Sequence, residues 1–245
     1  MHGHLLPHLN VASAGGYNTY QTIMLILGMV IWAALYAMIA YRGLKTHFVQ
    51  MPLVMACGNI VWEFLWGFIF QTDGHQTGVL IGMGSAFLID LTIFYSIWRY
   101  GPKYMKEDLN LPFLAHNVRW VSILGIAIWA IILVTFQIQG LDNPGGGTSG
   151  NVLNTLIAFF WMSQLMHIKD IKKLSVTIGW LKLLADIPVA LFLMSVFPDK
   201  YFTWSITWIS VFVDILFIGV YYGRLKGWIK IDHYFTYVTP PVSKS

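Results

Sequence analysis

Five ionisable residues stand where an apolar chain has least reason to carry them. Glu63, Asp90, Asp186 and Asp214 each lie near the middle of a long apolar run, and Lys182 precedes Asp186 by one helical turn. A charge at membrane depth is costly, so such a residue faces the protein interior, takes a partner and marks a function. The chemistry open to buried carboxyls is proton donation and proton relay. Glu63 and Asp214 have no cation within reach on their own run, which favours a functional reading. Lys182 and Asp186 form an i, i+4 pair of opposite charge that neutralises itself. They read as a structural ion pair, with Lys182 snorkelling toward the cytoplasm. Asp90 stands between the two readings, a support for the chemistry or a structural hydrogen-bond hub.

Neighbours at helical spacing sharpen this picture. Asn59 lies one turn before Glu63, Trp62 beside it and Trp66 about one turn after it. Asp90 shares a face with Phe87 and Phe94, and Asp214 follows Ser210 and precedes Phe217 and Tyr221. The result is a polar spot of acids and amides among aromatic rings. The rings alone say little, because Trp and Phe are common in membrane spans and most of them pack or face lipid. His2, His4 and His8 occupy a polar terminus with no acidic partner and are not read as a metal site; none is expected elsewhere.

The elements that must position these residues follow from composition. The chain has 245 residues, 57% apolar and 11% charged, against about a quarter charged in an ordinary soluble domain. An all-α, polytopic membrane protein is predicted: one seven-helix transmembrane domain over residues 1–245. A span needs about 20 apolar residues. The spans are expected near 20–41, 52–70, 77–98, 118–138, 152–168, 176–197 and 204–223. The fifth is the weakest, since Asn154, Ser163 and Gln164 dilute it. Turn and breaker signals separate the spans at Asp73-Gly74, Gly101-Pro102, Asn143-Pro144-Gly145-Gly146-Gly147 and Pro198-Asp199, and Pro188 loosens the sixth span. Thirteen of the fifteen Lys and Arg residues then fall on one side; the others are Lys182 and Lys200. The positive-inside rule puts the N-terminus outside and the C-terminus in the cytoplasm. These cations flank membrane spans and form no stripe, so no nucleic acid is expected as a partner. Cys57, the one cysteine, lies inside a span and reads as a small buried hydrophobe. No positively charged segment precedes the first apolar run, so no signal peptide is predicted.

Met51-Pro52-Leu53 leads into Gly58-Asn59-Ile60-Val61-Trp62-Glu63, and Val213-Asp214 comes late, in the last predicted span. In these segments the chain resembles the integral-membrane terpene cyclases of fungal meroterpenoid and indole-diterpene pathways, such as the paspaline-type and pyripyropene-type enzymes, and their bacterial relatives. The resemblance covers nearly the whole chain in length, span count and placement of the two acids. It implies that Glu63 and Asp214 match the two essential acids of that family, which protonate the terminal epoxide or alkene of a polyprenyl chain. Ring closure follows through a carbocation cascade ended by proton loss. Asn59 and Trp62 belong to the same motif; Asp90 falls where some relatives carry a polar residue.

Elementary chemistry agrees with this implied activity. A low-dielectric site favours a carboxyl that keeps its proton, which suits a general acid. Aromatic faces steady a travelling cation by about 0.5–2 kcal/mol each without attacking it. Excluded water prevents early quenching. The reaction ionises no diphosphate, so no cofactor is expected, and the chain lacks the Asp-rich magnesium motif of ionising synthases. The predicted partners are a lipophilic prenylated small molecule and the lipid bilayer, in a bacterial inner membrane or the endoplasmic reticulum membrane. The alternative is a small proton-coupled transporter or proton relay built on the same acids. The cyclase reading further expects Glu63 and Asp214 to meet inside one dry cavity, with Trp66, Phe217 and Tyr221 in support.

Overall fold

The computed structural model describes residues 16–70 and 76–229, and among them it contains helices and no strand. Helix α1 (Thr19–Thr46) starts at an Asn18 capping box: Asn18 Oδ1 accepts from the Gln21 amide at 2.9 Å, and Gln21 Oε1 accepts from the Asn18 amide at 3.0 Å. Then come α2 (Leu53–Phe64) with a π-helical turn (Leu65–Ile69), α3 (Gln76–Glu107), α4 (Pro112–Ile138), α5 (Gly147–His167), α6 (Val176–Val196) and α7 (Tyr201–Leu225). Short 3₁₀ turns at Pro144–Gly146 and Ile171–Lys173 lead into α5 and α6.

Five of these helices are long and apolar enough to cross a membrane: α1, α3, α4, α6 and α7. Leu53–Ile69 is apolar but shorter. Helix α5 has the length and lacks the hydropathy, because its polar residues are turned against α7. Thr155 Oγ1 donates to the Ile206 carbonyl at 2.9 Å, Thr207 Oγ1 donates to Asn151 Oδ1 at 2.7 Å, and the Thr148 and Thr203 hydroxyls meet at 2.9 Å. These interhelical bonds satisfy groups that would otherwise face hydrocarbon.

Each helix in the series α1, α6, α7, α5, α2, α3 packs on the next, and α3 packs back on α1, while α4 lies against α2 and α3. Six helices thus close a ring. Small residues let its members approach. A Cβ on Gly28 of α1 would meet Val189 of α6 at 2.7 Å, and one on Gly179 of α6 would meet the Phe217 ring of α7 at 2.8 Å. Cys57 is fully buried, its Sγ donating to the Ser122 carbonyl at 3.6 Å.

The basic segments gather at one end of the bundle. Arg42 donates to the Lys173 carbonyl at 3.3 Å, Lys173 pairs with Asp108 at 2.7 Å, and Arg224 reaches the Leu165 and Ile168 carbonyls. At the other end Asp142 Oδ1 accepts from the amides of Asn143, Thr148 and Ser149 at 2.9–3.0 Å, tying down the start of α5. Burial raises the Asp142 carboxyl above its usual range, against the pull of those hydrogen bonds.

Two local expectations change. Gly101-Pro102 ends nothing: α3 runs through both to Glu107, and Pro102 sits inside the helix. Pro costs a helix its own missing N–H bond and a clash one turn back, and α3 absorbs both near its end. Span two is not one regular helix, because the π turn begins two residues after Glu63 and re-aims Trp66. The signal at Asp73-Gly74 and the histidines His2, His4 and His8 lie outside the described residues.

Candidate active site

Ring closure brings the ionisable residues into two buried groups. The first joins α1, α2 and α3. The Glu63 and Asp90 carboxyls lie within hydrogen-bonding reach of each other, and both are buried, with 7% and 3% of their surface exposed. Glu63 Oε2 and Asp90 Oδ2 are buried without a hydrogen-bond partner. One turn before Glu63, the Asn59 side-chain amide donates to the Tyr36 hydroxyl of α1. No Lys or Arg pairs with either acid among the described residues.

The second group joins α5, α6 and α7. Lys182 Nζ donates to Asp186 Oδ2 at 2.9 Å, to Asp214 Oδ2 at 2.9 Å and to Ser210 Oγ at 2.7 Å. Those contacts use all three ammonium protons. Ser210 Oγ donates to Asp186 Oδ2 at 2.8 Å, and Asn154 Nδ2 donates to the same oxygen at 2.8 Å. Asp186 and Asp214 thus meet on one ammonium. Asp186 Oδ1 and Asn154 Oδ1 remain buried without partners.

Two rings of α1 stand beside both groups. The Trp32 ring lies 6.0 Å from Lys182 Nζ and 5.4 Å from the Tyr36 ring. The Tyr36 hydroxyl is within electrostatic range of Asp90, Glu63 and Asp186.

Set against the sequence, this geometry keeps some expectations and moves others. The Lys182–Asp186 pair is present, and it extends to Asp214 on the next helix. Lys182 does not snorkel: it is 0% exposed, because three acceptors and an aromatic face surround its ammonium where it stands. No hydrogen bond or ion pair joins Glu63 to Asp214 among the described residues. Helix α2 packs on α3, α4 and α5, whereas α7 packs on α5 and α6, so each acid bonds within its own group. Asp90 is the direct partner of Glu63.

The supporting rings take separate positions. Trp62 Nε1 donates to Ser149 Oγ at 3.0 Å, linking α2 to the start of α5. Trp66 packs so closely on Gly146 that any Cβ there would clash with its ring, and Gly146 has a φ of +77°, a region that favours glycine. Phe217 lies between Gly179 and Trp161, with ring centroids 6.1 Å apart for the Trp161 pair, and Tyr221 reaches the Leu174 carbonyl at 3.4 Å. Phe94 is buried, while Phe87 packs with Phe64 and Phe68.

Sequence reasoning missed Tyr36, Trp32 and the role of Asn154. Trp32 and Tyr36 are one turn apart in an uncharged apolar run and look like any membrane aromatics. Asn154 did give a signal, an amide in the middle of a span, which also served to mark that span as weak.

Comparison with known proteins places the chain. It is 28% identical over 127 residues to the Pyr4-family terpene cyclase mfmH of Annulohypoxylon moriforme, a match covering 52% of this chain and 50% of that one. It is 26% identical over 165 residues to the terpene cyclase macJ of Penicillium terrestre, covering 66% and 61%. It is 31% identical over 103 residues to the terpene cyclase atmB of Aspergillus flavus, covering 41% and 40%. The matches therefore span from 40% to 61% of the length of these relatives. No solved structure matches it. The Pyr4-like transmembrane terpene cyclases match residues 10–229, nearly the entire chain, and the protein belongs to that family.

Proposed function

We propose that this protein is a membrane-bound terpene cyclase in which Glu63 protonates the terminal epoxide or alkene of a polyprenyl, meroterpenoid-type substrate. The cation so formed is guided through ring closures and ended by loss of a proton. One observation carries this reading: the Glu63 and Asp90 carboxyls lie together, buried, with no cation paired to either among the described residues. Two carboxyl groups attract each other only when a proton lies between them, as in other carboxyl dyads. In this reading the pair stores an acidic proton away from water, and Glu63 Oε2 and Asp90 Oδ2 take no bond from another donor. Asn59 and Tyr36 fix the face of α2 that carries Glu63. Asp214 is the second essential acid, held on Lys182.

The setting suits a lipophilic substrate. An isoprenoid tail partitions into the bilayer and needs a site within it. Protonation ionises no diphosphate, so the reaction requires no cofactor. All seven helices cross the membrane in this reading. Leu53–Ile69 spans about 26 Å at 1.5 Å per residue, a little less than the ~30 Å hydrocarbon core, and the polar face of α5 is satisfied by α7. The end bearing Arg42, Lys173 and Arg224 faces the cytoplasm and the N-terminus lies outside.

The test is Glu63→Gln, which keeps shape and hydrogen bonding but cannot deliver a proton. Wild type and variant are expressed in membranes and fed prenyl epoxides and alkenes, and cyclic isomers are sought among the products. The variant is expected to accumulate normally and to form none. Unchanged turnover would remove Glu63 from the chemistry.

A further inference from the structure

The two buried groups hold the same kinds of residue, one with a cation and one without among the described residues. Lys182 is fully buried, and its ammonium needs a counter-ion there. The carboxyls paired with it are Asp186 and Asp214, both at 2.9 Å, so at least one of them is ionised. The Glu63–Asp90 pair has no such cation among the described residues.

We propose that Lys182 is a positioning residue for the last step of the reaction: by holding Asp186 and Asp214 on one ammonium it keeps a carboxylate on the α6–α7 side, and that carboxylate takes the proton that ends the cascade. This rests on the reading of Glu63 as the acid. The acceptor is ready-made. Asp186 Oδ2 already takes bonds from Lys182, Ser210 and Asn154, whereas Asp186 Oδ1 is buried with no donor. An aromatic face also borders this group, the Trp32 ring lying 6.0 Å from Lys182 Nζ, and such a face steadies a cation before it is quenched.

The proton balance closes. Glu63 gives its proton to the epoxide oxygen or the alkene carbon, forming an O–H or a C–H bond. The π electrons of the chain form the ring C–C bonds. Finally a C–H bond beside the cation breaks, its electron pair becomes the new double bond, and the proton passes to the carboxylate on α6–α7. The product is an isomer of the substrate. One proton has moved across the site, and its return to Glu63 completes the cycle. Tyr36 accepts from Asn59 on the donor side, and its ring neighbour Trp32 lies over Lys182 on the acceptor side.

The experiment compares Lys182→Met, Lys182→Arg and Glu63→Gln with wild type in membranes, scoring substrate consumed, product pattern and melting temperature. Lys182→Met is expected to consume substrate at least tenfold more slowly and to change where the final double bond falls, or to yield water-captured alcohols. Lys182→Arg is expected to restore the wild-type pattern. If Lys182→Met fails to accumulate, Ser210→Ala takes its place and is expected to shift the product pattern in the same direction by a smaller amount. A wild-type product pattern in Lys182→Met, or in Ser210→Ala where it stands in, overturns the proposal whatever the melting temperature. Glu63→Gln separates the two ideas. Inactive Glu63→Gln with an unchanged Lys182→Met pattern sinks the role of Lys182 alone, and active Glu63→Gln sinks the acid on which it rests.

Discussion

The α2–α3 centre and the α6–α7 centre each contain a pair of buried carboxyls, and they differ by one lysine. Glu63 and Asp90 meet without a cation among the described residues, and Glu63 Oε2 and Asp90 Oδ2 take no bond from another donor. Asp186 and Asp214 share Lys182, and Ser210 and Asn154 add two further donors to Asp186. A carboxyl pair without a cation stores a proton, whereas a pair on an ammonium stores a negative charge. The same side chains are thus set up for different tasks by what lies on the neighbouring helix. That is the general way buried carboxyls are driven apart in acidity.

The comparison can be broken most directly at its proton donor. Glu63→Gln is expected to lower turnover by roughly 10³-fold or more, within the range of a lost general acid. Asp214→Asn comes next, with an expected loss of about 10²-fold. It leaves Lys182 with Asp186 alone and removes an acceptor, and initial rates on the same substrates measure it. A normal rate would confine the chemistry to the α2–α3 centre. Asp90→Asn is expected to cost roughly 10- to 100-fold, because an amide still bonds Glu63 but does not share an acidic proton with it. If that variant turns over like wild type, the carboxyl–carboxyl contact is packing and the contrast between the centres dissolves. The smallest effect is expected from Tyr36→Phe. It removes one hydrogen bond to Asn59, worth about 0.5–1.5 kcal/mol of stability, and should change turnover only a few-fold. Thermal unfolding in detergent beside rate measurements would separate the two contributions.

Much of the fold is legible from residue order. Apolar runs and turn residues placed the helices, and the observed α1, α4, α6 and α7 contain or closely overlap the predicted spans. Helix α3 overran its prediction because a proline near a helix end is tolerated where the chain is already committed to helix. The π turn after Glu63 left no sequence signal, since Leu65–Ile69 is as apolar as the residues before it. The odd standing of span five had a legible cause once α7 was beside it. Asn151 and Thr155 look like poor membrane residues alone and become hydrogen-bond partners when Thr207 and the Ile206 carbonyl face them.

The site was legible as a set of residues and not as a set of pairs. Helical spacing reports neighbours on one helix, so Lys182 with Asp186, and Asn59 with Glu63, could be read in advance. Which way each helix is rotated, and which helix stands next to it, is absent from that spacing. Asp90 therefore became the partner of Glu63, and Lys182 the partner of Asp214, only when the ring closed.

The sequence by itself determined that acids would be buried at membrane depth and on which helices, because the cost of charge in hydrocarbon admits them only at a protein interior. The tertiary structure alone decided which acids would face an ammonium and which would not. Charge state in a dry interior is fixed by the nearest opposite charge, and here that charge comes from another helix.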